Sequence, residues 1–241
     1  MKKAYLNWSS GKDAAFALYT LQKNQAVKVE KLVTTINREI GRISMHGVRQ
    51  QLLEMQARSI GLPLHQIFLK GNVSMSTYNQ TMQEQVKLLK KEGFTHSVFG
   101  DIFLEDLKVY REEQLEKEDI TAVFPLWKRD TRQLMQDFLD AGFKAITVCV
   151  NAKYLDESFC GRIIDREFID SLPEGVDPCG ENGEFHTFVY DGPIFKEPVK
   201  FEIGEKVQRT YQSSEKEDDN CFADKEKSWD TRFWYSDLIP V

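Results

Sequence analysis

Short apolar runs alternate with amphipathic stretches through the first 150 residues. Residues 4–8 predict a strand that runs straight into Ser9-Ser10-Gly11-Lys12-Asp13, and the apolar Ala14-Ala15-Phe16-Ala17-Leu18 then opens a helix. Further strands are predicted over residues 27–36, 64–69, 97–100, 121–124 and 145–150. Between them, residues 48–60 carry Leu52, Leu53 and Ile60, and residues 78–91 carry Met82, Val86 and Leu89 ahead of Gly93. Residues 131–141 carry Leu134, Phe138 and Leu139 ahead of Gly142. The spacing of these positions is helical. This rhythm predicts a largely parallel sheet covered by helices, an α/β class, with ligands bound outside the carboxyl ends of the strands near a switch point.

After residue 151 the texture changes. Turn residues crowd residues 172–184, and short strand-like pieces follow at 187–189 and 199–202. The pattern predicts a smaller α+β region with mixed or antiparallel pairing, dividing the chain into domains 1–150 and 151–241. Residues 213–220 read as a polar, acidic loop. Trp229, Phe233, Trp234 and Tyr235 read as a C-terminal segment that docks back onto the protein.

The 241 residues can bury a substantial core, and 41% hydrophobic with 29% charged residues is ordinary for a globular chain. A net charge of −6 without a basic arm argues against a stable nucleic-acid complex. No run approaches 18 apolar residues, so neither a membrane span nor a long signal segment is expected. Cys149, Cys160, Cys179 and Cys221 show no C-x-x-C spacing, which fits reduced thiols in a cytoplasmic protein.

Four clusters carry candidate chemistry. In Ser9-Ser10-Gly11-Lys12-Asp13 the small side chains let backbone N–H groups and a helix N-terminus approach a phosphate. Lys12 would neutralise triphosphate oxygens, while Asp13 suits a magnesium ligand, a helix cap or an orienter of Lys12. The plain alternative is a Ser-rich strand-to-helix turn capped by Ser10 or Asp13. His46, in Ser44-Met45-His46-Gly47, suits substrate binding or proton transfer, or else a capping loop. Asp101 follows Gly100 at the end of a buried-looking strand, placed to hold magnesium or a polar substrate. Arg111 suits a phosphate or carboxylate, or a solvated helix face. In the fourth cluster, Asp177-Pro178-Cys179-Gly180-Glu181-Asn182-Gly183-Glu184-Phe185-His186-Thr187, a tight turn would gather carboxylates, an amide and an imidazole. An acidic hairpin is its plain reading.

Together these segments resemble the ATP-dependent diphthine–ammonia ligase family. The first loop resembles the SGGKDS signature of PP-loop, or N-type, ATP pyrophosphatases, with Ser10 and Ala14 where that signature has Gly and Ser. The resemblance continues through Ser44-Met45-His46-Gly47, Phe99-Gly100-Asp101-Ile102, Pro125-Leu126-Trp127 and the 179–189 segment to Asp191-Gly192-Pro193. It implies a HUP-type adenine-nucleotide α-hydrolase-like domain with a five-stranded parallel core, followed by a substrate domain. It also implies ATP and Mg²⁺ as cofactors, and adenylation of a carboxylate with loss of pyrophosphate, then attack by ammonia. The carboxylate would belong to a small molecule or a modified protein side chain; in the named ligases it is diphthine on elongation factor 2. On this resemblance Ser9, Ser10, Gly11, Lys12, Asp13 and Gly100 serve the nucleotide, and Asp13 and Asp101 the metal. Lys12, Asp101, Glu184 and His186 would be catalytic. The acceptor or amine would meet His46, Arg111, Gly180, Glu181, Asn182, Gly183, Glu184, His186 and Thr187. A nucleotide-sensing module and a tRNA-modifying relative are the competing readings, and a possible homodimer is left open.

Overall fold

The structure, a computed structural model, describes residues 2–43, 46–71, 73–211 and 231–241. Ser44, Met45, the acidic stretch 213–220, Cys221 and Trp229 lie outside the described residues. The first sheet is built from β1 (Lys3–Asn7), β2 (Lys28–Asn37), β3 (Arg42–Ile43), β4 (Leu64–Leu69), β5 (His96–Val98) and β6 (Thr121–Val123). Five of these pair in parallel in the order β4-β2-β1-β5-β6, and β3 pairs antiparallel with the end of β2. The parallel core therefore has the five strands expected.

Side-chain alternation splits this sheet between two cores. On one face Ala4 and Leu6 of β1 join Leu32 and Ile36 of β2 beneath α1 (Lys12–Asn24), α2 (Gln50–Ile60) and α5 (Thr131–Asp140). On the other, Tyr5, Val33, Ile67 and Leu69 meet Val86 and Leu89 of α3 (Met75–Lys91) and Leu115 of α4 (Glu105–Glu116). Helices thus cover both faces. Phe16 of α1 packs edge-on against Phe138 of α5 (centroids 5.9 Å, 74°) and against Phe143 (6.0 Å, 81°), which locks α1 beside α5.

The second sheet contains β7 (Lys144–Asn151), β8 (Phe185–Asp191), β9 (Phe201–Tyr211) and β10 (Thr231–Pro240) in the order β8-β7-β10-β9. Every neighbour is antiparallel. The apolar run at 145–150 finds all its strand partners here, not in the parallel sheet. Phe233, Trp234 and Tyr235 return as β10 and pair with Asn151, Val150 and Cys149. Between β7 and β8 the short α6 (Arg166–Asp170) adds Phe168 to the core, where it meets Phe185 edge-on at 5.4 Å. One continuous core links β1, α1 and α2 with β7 and β8. No described helix is long and apolar enough to cross a membrane.

Candidate active site

The sheet order places β2 and β5 on opposite sides of β1, so the chain reverses its winding between β1 and β5. Crevices of this kind open outside the carboxyl ends of the two strands. Asn7 ties those ends together: its Nδ2 donates to Ser97 Oγ and to the Val98 carbonyl, each at 2.9 Å. The Ser9–Asp13 loop leaves β1 here, and Gly100-Asp101 leaves β5. A Cβ on Gly100 would stand 2.7 Å from the Asp13 carbonyl carbon and 2.9 Å from Ala14 N, so this close approach requires glycine.

Gly11 is the N-cap of α1, and no side chain within the loop caps the helix. The capping roles considered for Ser10 and Asp13 are therefore not adopted. The cap comes from β8 instead: the Lys12 N–H donates to Thr187 Oγ1 at 3.0 Å. Ser10 is wholly buried with φ +73°, a left-handed conformation that serine rarely accepts. Its carbonyl accepts from Val189 N–H (3.0 Å) and from Gln56 Nε2 (3.1 Å), and its Oγ has no partner among the described residues.

Lys12 is 2% exposed, and its Nζ donates to both Asp13 oxygens at 2.8 Å. Burial opposes the ammonium charge, but Asp13 and Glu181 outweigh it and raise the Lys12 pKa. Asp101 is held by Arg111, with Nη2 donating to Oδ1 at 3.2 Å and Nε 3.0 Å from Oδ2, while the guanidinium sits 4.4 Å from the Phe99 ring centre.

The 177–184 turn closes the crevice from the second sheet. Its shape comes from reciprocal bonds: Asp177 Oδ2 accepts from Cys179 N–H (3.1 Å) and Glu181 N–H (3.0 Å), and Asp177 N–H donates to Glu184 Oε1 (3.0 Å). Asn182 Nδ2 donates to the same Glu184 oxygen at 3.1 Å. Gly180 has φ +68°, and a Cβ there would stand 2.8 Å from the Phe185 carbonyl. Glu184 is 1% exposed, and its Oε2 has no partner among the described residues. Glu181 crosses to the first sheet, where its Oε1 accepts from Ile102 N–H at 2.7 Å. Burial and the nearby Asp13 push its pKa up to about 7, against the Ile102 bond and Lys12.

His46 and His186 stack with centroids 4.4 Å apart. Burial and then Lys12 lower His186 to about 4, and burial and then His186 hold His46 well below the ordinary imidazole value. His46 Cε1 would lie 3.3 Å from a Cβ on Gly11, so the pair stands over the first loop. Arg42 Nη1 donates to the Gly47 carbonyl (2.7 Å) and to Asp237 Oδ1 (2.8 Å); Arg49 reaches both Asp237 oxygens (3.0 and 2.5 Å). Strand β10 therefore anchors the loop that carries His46. Burial raises the Cys179 thiol pKa, and its Sγ donates to the Thr131 carbonyl at 3.4 Å, which suits a structural thiol and not a nucleophile.

The structure thus gathers Ser9 to Asp13, Gly100, Asp101 and Glu181, linked through direct contacts, with His46, His186 and Thr187 beside them. Arg111 joins through Asp101. Gln56, Val189 and Asp237 were not singled out by sequence reasoning. Asp177 opens the cluster that the sequence marks, whereas these three act through tertiary contacts that no local pattern records.

The geometry defines a doubly wound α/β protein whose strand-end loops are closed by an antiparallel second sheet. The chain belongs to the diphthamide synthase family: the family's N-terminal domain model matches residues 1–118 and its C-terminal domain model residues 130–231. A diphthine–ammonia ligase of Bos taurus is 25% identical over 221 residues, covering 83% of this chain and 82% of the relative. That of Mus musculus is 26% identical over 224 residues, covering 84% of each. Among solved structures, a predicted subunit of tRNA methyltransferase from Methanocaldococcus jannaschii aligns with 65% of this chain and 82% of that one, at TM-score 0.39 and 14% identity, a likeness that bears no weight here.

Proposed function

We propose that the chain is an ATP-dependent ligase that adenylates a carboxylate, releases pyrophosphate and forms an amide with ammonia. The acceptor is the carboxylate of diphthine or of a chemically close compound, as the names of the relatives indicate. The observation that carries this reading is the meeting of three loops at the β1/β5 switch point: Ser9–Asp13, Gly100-Asp101 and the 177–187 segment.

The nucleotide's phosphates would lie along the first loop. The orphaned Ser10 Oγ, the α1 N-terminus and the Lys12 ammonium all favour an anion there. Among the described residues no group of three or more His, Cys, Asp or Glu side chains could hold a metal ion by itself. Asp13 and Asp101 fit Mg²⁺ that keeps several waters and shares phosphate oxygens, as this ion usually does. When bound, Mg²⁺ would offset charge on the departing pyrophosphate.

A free carboxylate is a poor acyl donor, and joining it to the α-phosphate creates a good leaving group. Lys12 stabilises the developing pyrophosphate charge, and the fixed loop holds the carboxylate in line with the α-phosphorus. In the second step the ammonia nitrogen bonds to the acyl carbon, AMP departs and the nitrogen loses a proton. His186 and His46 are neutral near pH 7 and stand beside the acyl site as hydrogen-bonding groups; their lowered values mean that neither keeps the proton, which passes on to solvent. Glu184 Oε2 offers a buried acceptor on the same segment.

The test incubates the protein with ATP, Mg²⁺, isotopic ammonia and a diphthine-bearing protein or cell extract, and analyses products by mass spectrometry. AMP, pyrophosphate and a labelled amide are expected; ADP with orthophosphate would overturn the reading. Lys12→Ala should slow turnover by about 2–4 kcal/mol in the transition state while leaving the fold intact.

A further inference from the structure

Gln56 lies on α2 and is wholly buried, so its amide needs partners for one carbonyl and two N–H groups. It finds them in three separate places. Oε1 accepts from the Trp8 indole Nε1 (2.9 Å), and Nε2 donates to the carbonyls of Ser10 (3.1 Å) and Val189 (2.6 Å). Because the Val189 N–H also donates to the Ser10 carbonyl, that oxygen receives two donors from inside the protein. In a planar trans peptide the carbonyl and the following N–H point in opposite directions, and no described peptide bond is cis. Drawing the Ser10 carbonyl inward therefore turns the Gly11 N–H outward. There its acceptor is Ser9 Oγ at a long 3.4 Å, and the N-terminus of α1 adds positive field.

We propose that Gln56 is the positioning residue of the phosphate loop: its side-chain amide sets the Ser10–Gly11 peptide so that the Gly11 N–H faces the bound polyphosphate. This deepens the ATP reading and rests on it. It also accounts for a serine at φ +73°. The loop is held in a glycine-like conformation by bonds from α2 and β8, which substitute for the missing conformational freedom. Gln56 touches no nucleotide; it acts through the backbone.

The test uses the full chain, with inorganic pyrophosphate and ATP as probes in calorimetry. Gln56→Met should weaken both by about tenfold or more, since two carbonyls lose a donor and the peptide is released, while the half-saturating ammonia concentration stays unchanged. Gln56→Glu keeps the acceptor for Trp8. Its ionised carboxylate repels the two carbonyls, whereas its protonated form donates to one of them. Affinity in this variant should therefore recover as pH falls, over a range where wild type gains nothing. Wild-type affinity in Gln56→Met, or a wild-type pH profile in Gln56→Glu, overturns the inference; if Gln56→Met fails to fold, the Gln56→Glu profile decides. If wild type binds neither probe, the ATP reading fails by itself, and the Gly11 amide resonance then tests Gln56 separately. A shift of that resonance in Gln56→Met supports the positioning role, and an unmoved resonance refutes it.

Discussion

The imidazoles of His46 and His186 stack 4.4 Å apart with their planes 25° from parallel, one from the loop before α2 and one from β8. Burial penalises a charge on either ring first; Lys12 adds to this at His186, and His186 adds to it at His46. The folded protein therefore refuses a proton that the unfolded chain accepts. For His186 the unfolded value is about 6.5, and the folded value is about 4. Above pH 6.5 neither state binds the proton and there is no cost. As pH falls from 6.5 towards 4, stability is lost, by up to about 3 kcal/mol. His186→Phe keeps a stacking ring without the titration. Its urea stability should fall less than wild type between pH 7 and pH 4.5, and parallel profiles would refute the assignment.

Glu181 has the opposite sign. Its folded value of about 7 lies above the ordinary carboxylate range because of burial and Asp13. The folded state holds a proton that the unfolded chain releases from about pH 4.5 upward. This contribution is full below that point and is lost as pH rises to about 7, amounting to about 3 kcal/mol. Glu181→Gln, which cannot ionise, should remove this loss, so its melting temperature should change less than that of wild type between pH 5 and pH 8.

Ser10 carries its φ of +73° at a cost of about 1 kcal/mol relative to glycine. Ser10→Gly also removes a buried hydroxyl without a partner among the described residues. The variant is expected to gain about 1 kcal/mol in urea unfolding, provided Gln56 continues to hold the loop. A loss of stability would show that the hydroxyl has a bond not yet accounted for.

Gly100→Ala should do the reverse. The added methyl would meet backbone atoms of Asp13 and Ala14 at 2.7 and 2.9 Å, and backbone cannot rotate away. A destabilisation of about 1–3 kcal/mol is expected, with weaker ATP binding by calorimetry, because the first turn of α1 must shift.

Asp237 receives both Arg42 and Arg49, which lower its pKa to about 2, so the clamp persists throughout the ordinary pH range. Asp237→Asn should cost about 1–3 kcal/mol and shift the His46 ring resonances in NMR. Asp237→Glu should restore part of both. Unmoved His46 signals in the asparagine variant would separate the clamp from the site.

Most of the parallel half was legible in the sequence because its strands are apolar and its helices carry an apolar stripe. β4 matched residue for residue, and α5 and β6 to within one position. α4 gave no such signal, since Leu115 is its one buried residue. β9 extends well past 199–202 because residues 205–210 are exposed on both faces, leaving no alternation to read. The site's motif residues were visible as dense polar turns. Their partners were not: Thr187 caps Lys12 across 175 residues and Arg49 meets Asp237 across 188, and spacing along the chain carries no trace of such pairs.

The cap on α1 has a consequence for how this protein is made. Thr187 and Val189 belong to β8, yet they satisfy the Lys12 amide and the Ser10 carbonyl. A chain made only as far as the five parallel strands holds the Ser10 carbonyl through Gln56 alone and lacks the Thr187 hydroxyl that caps Lys12. The first turn of α1 is therefore completed only once β8 has been synthesised and docked against it.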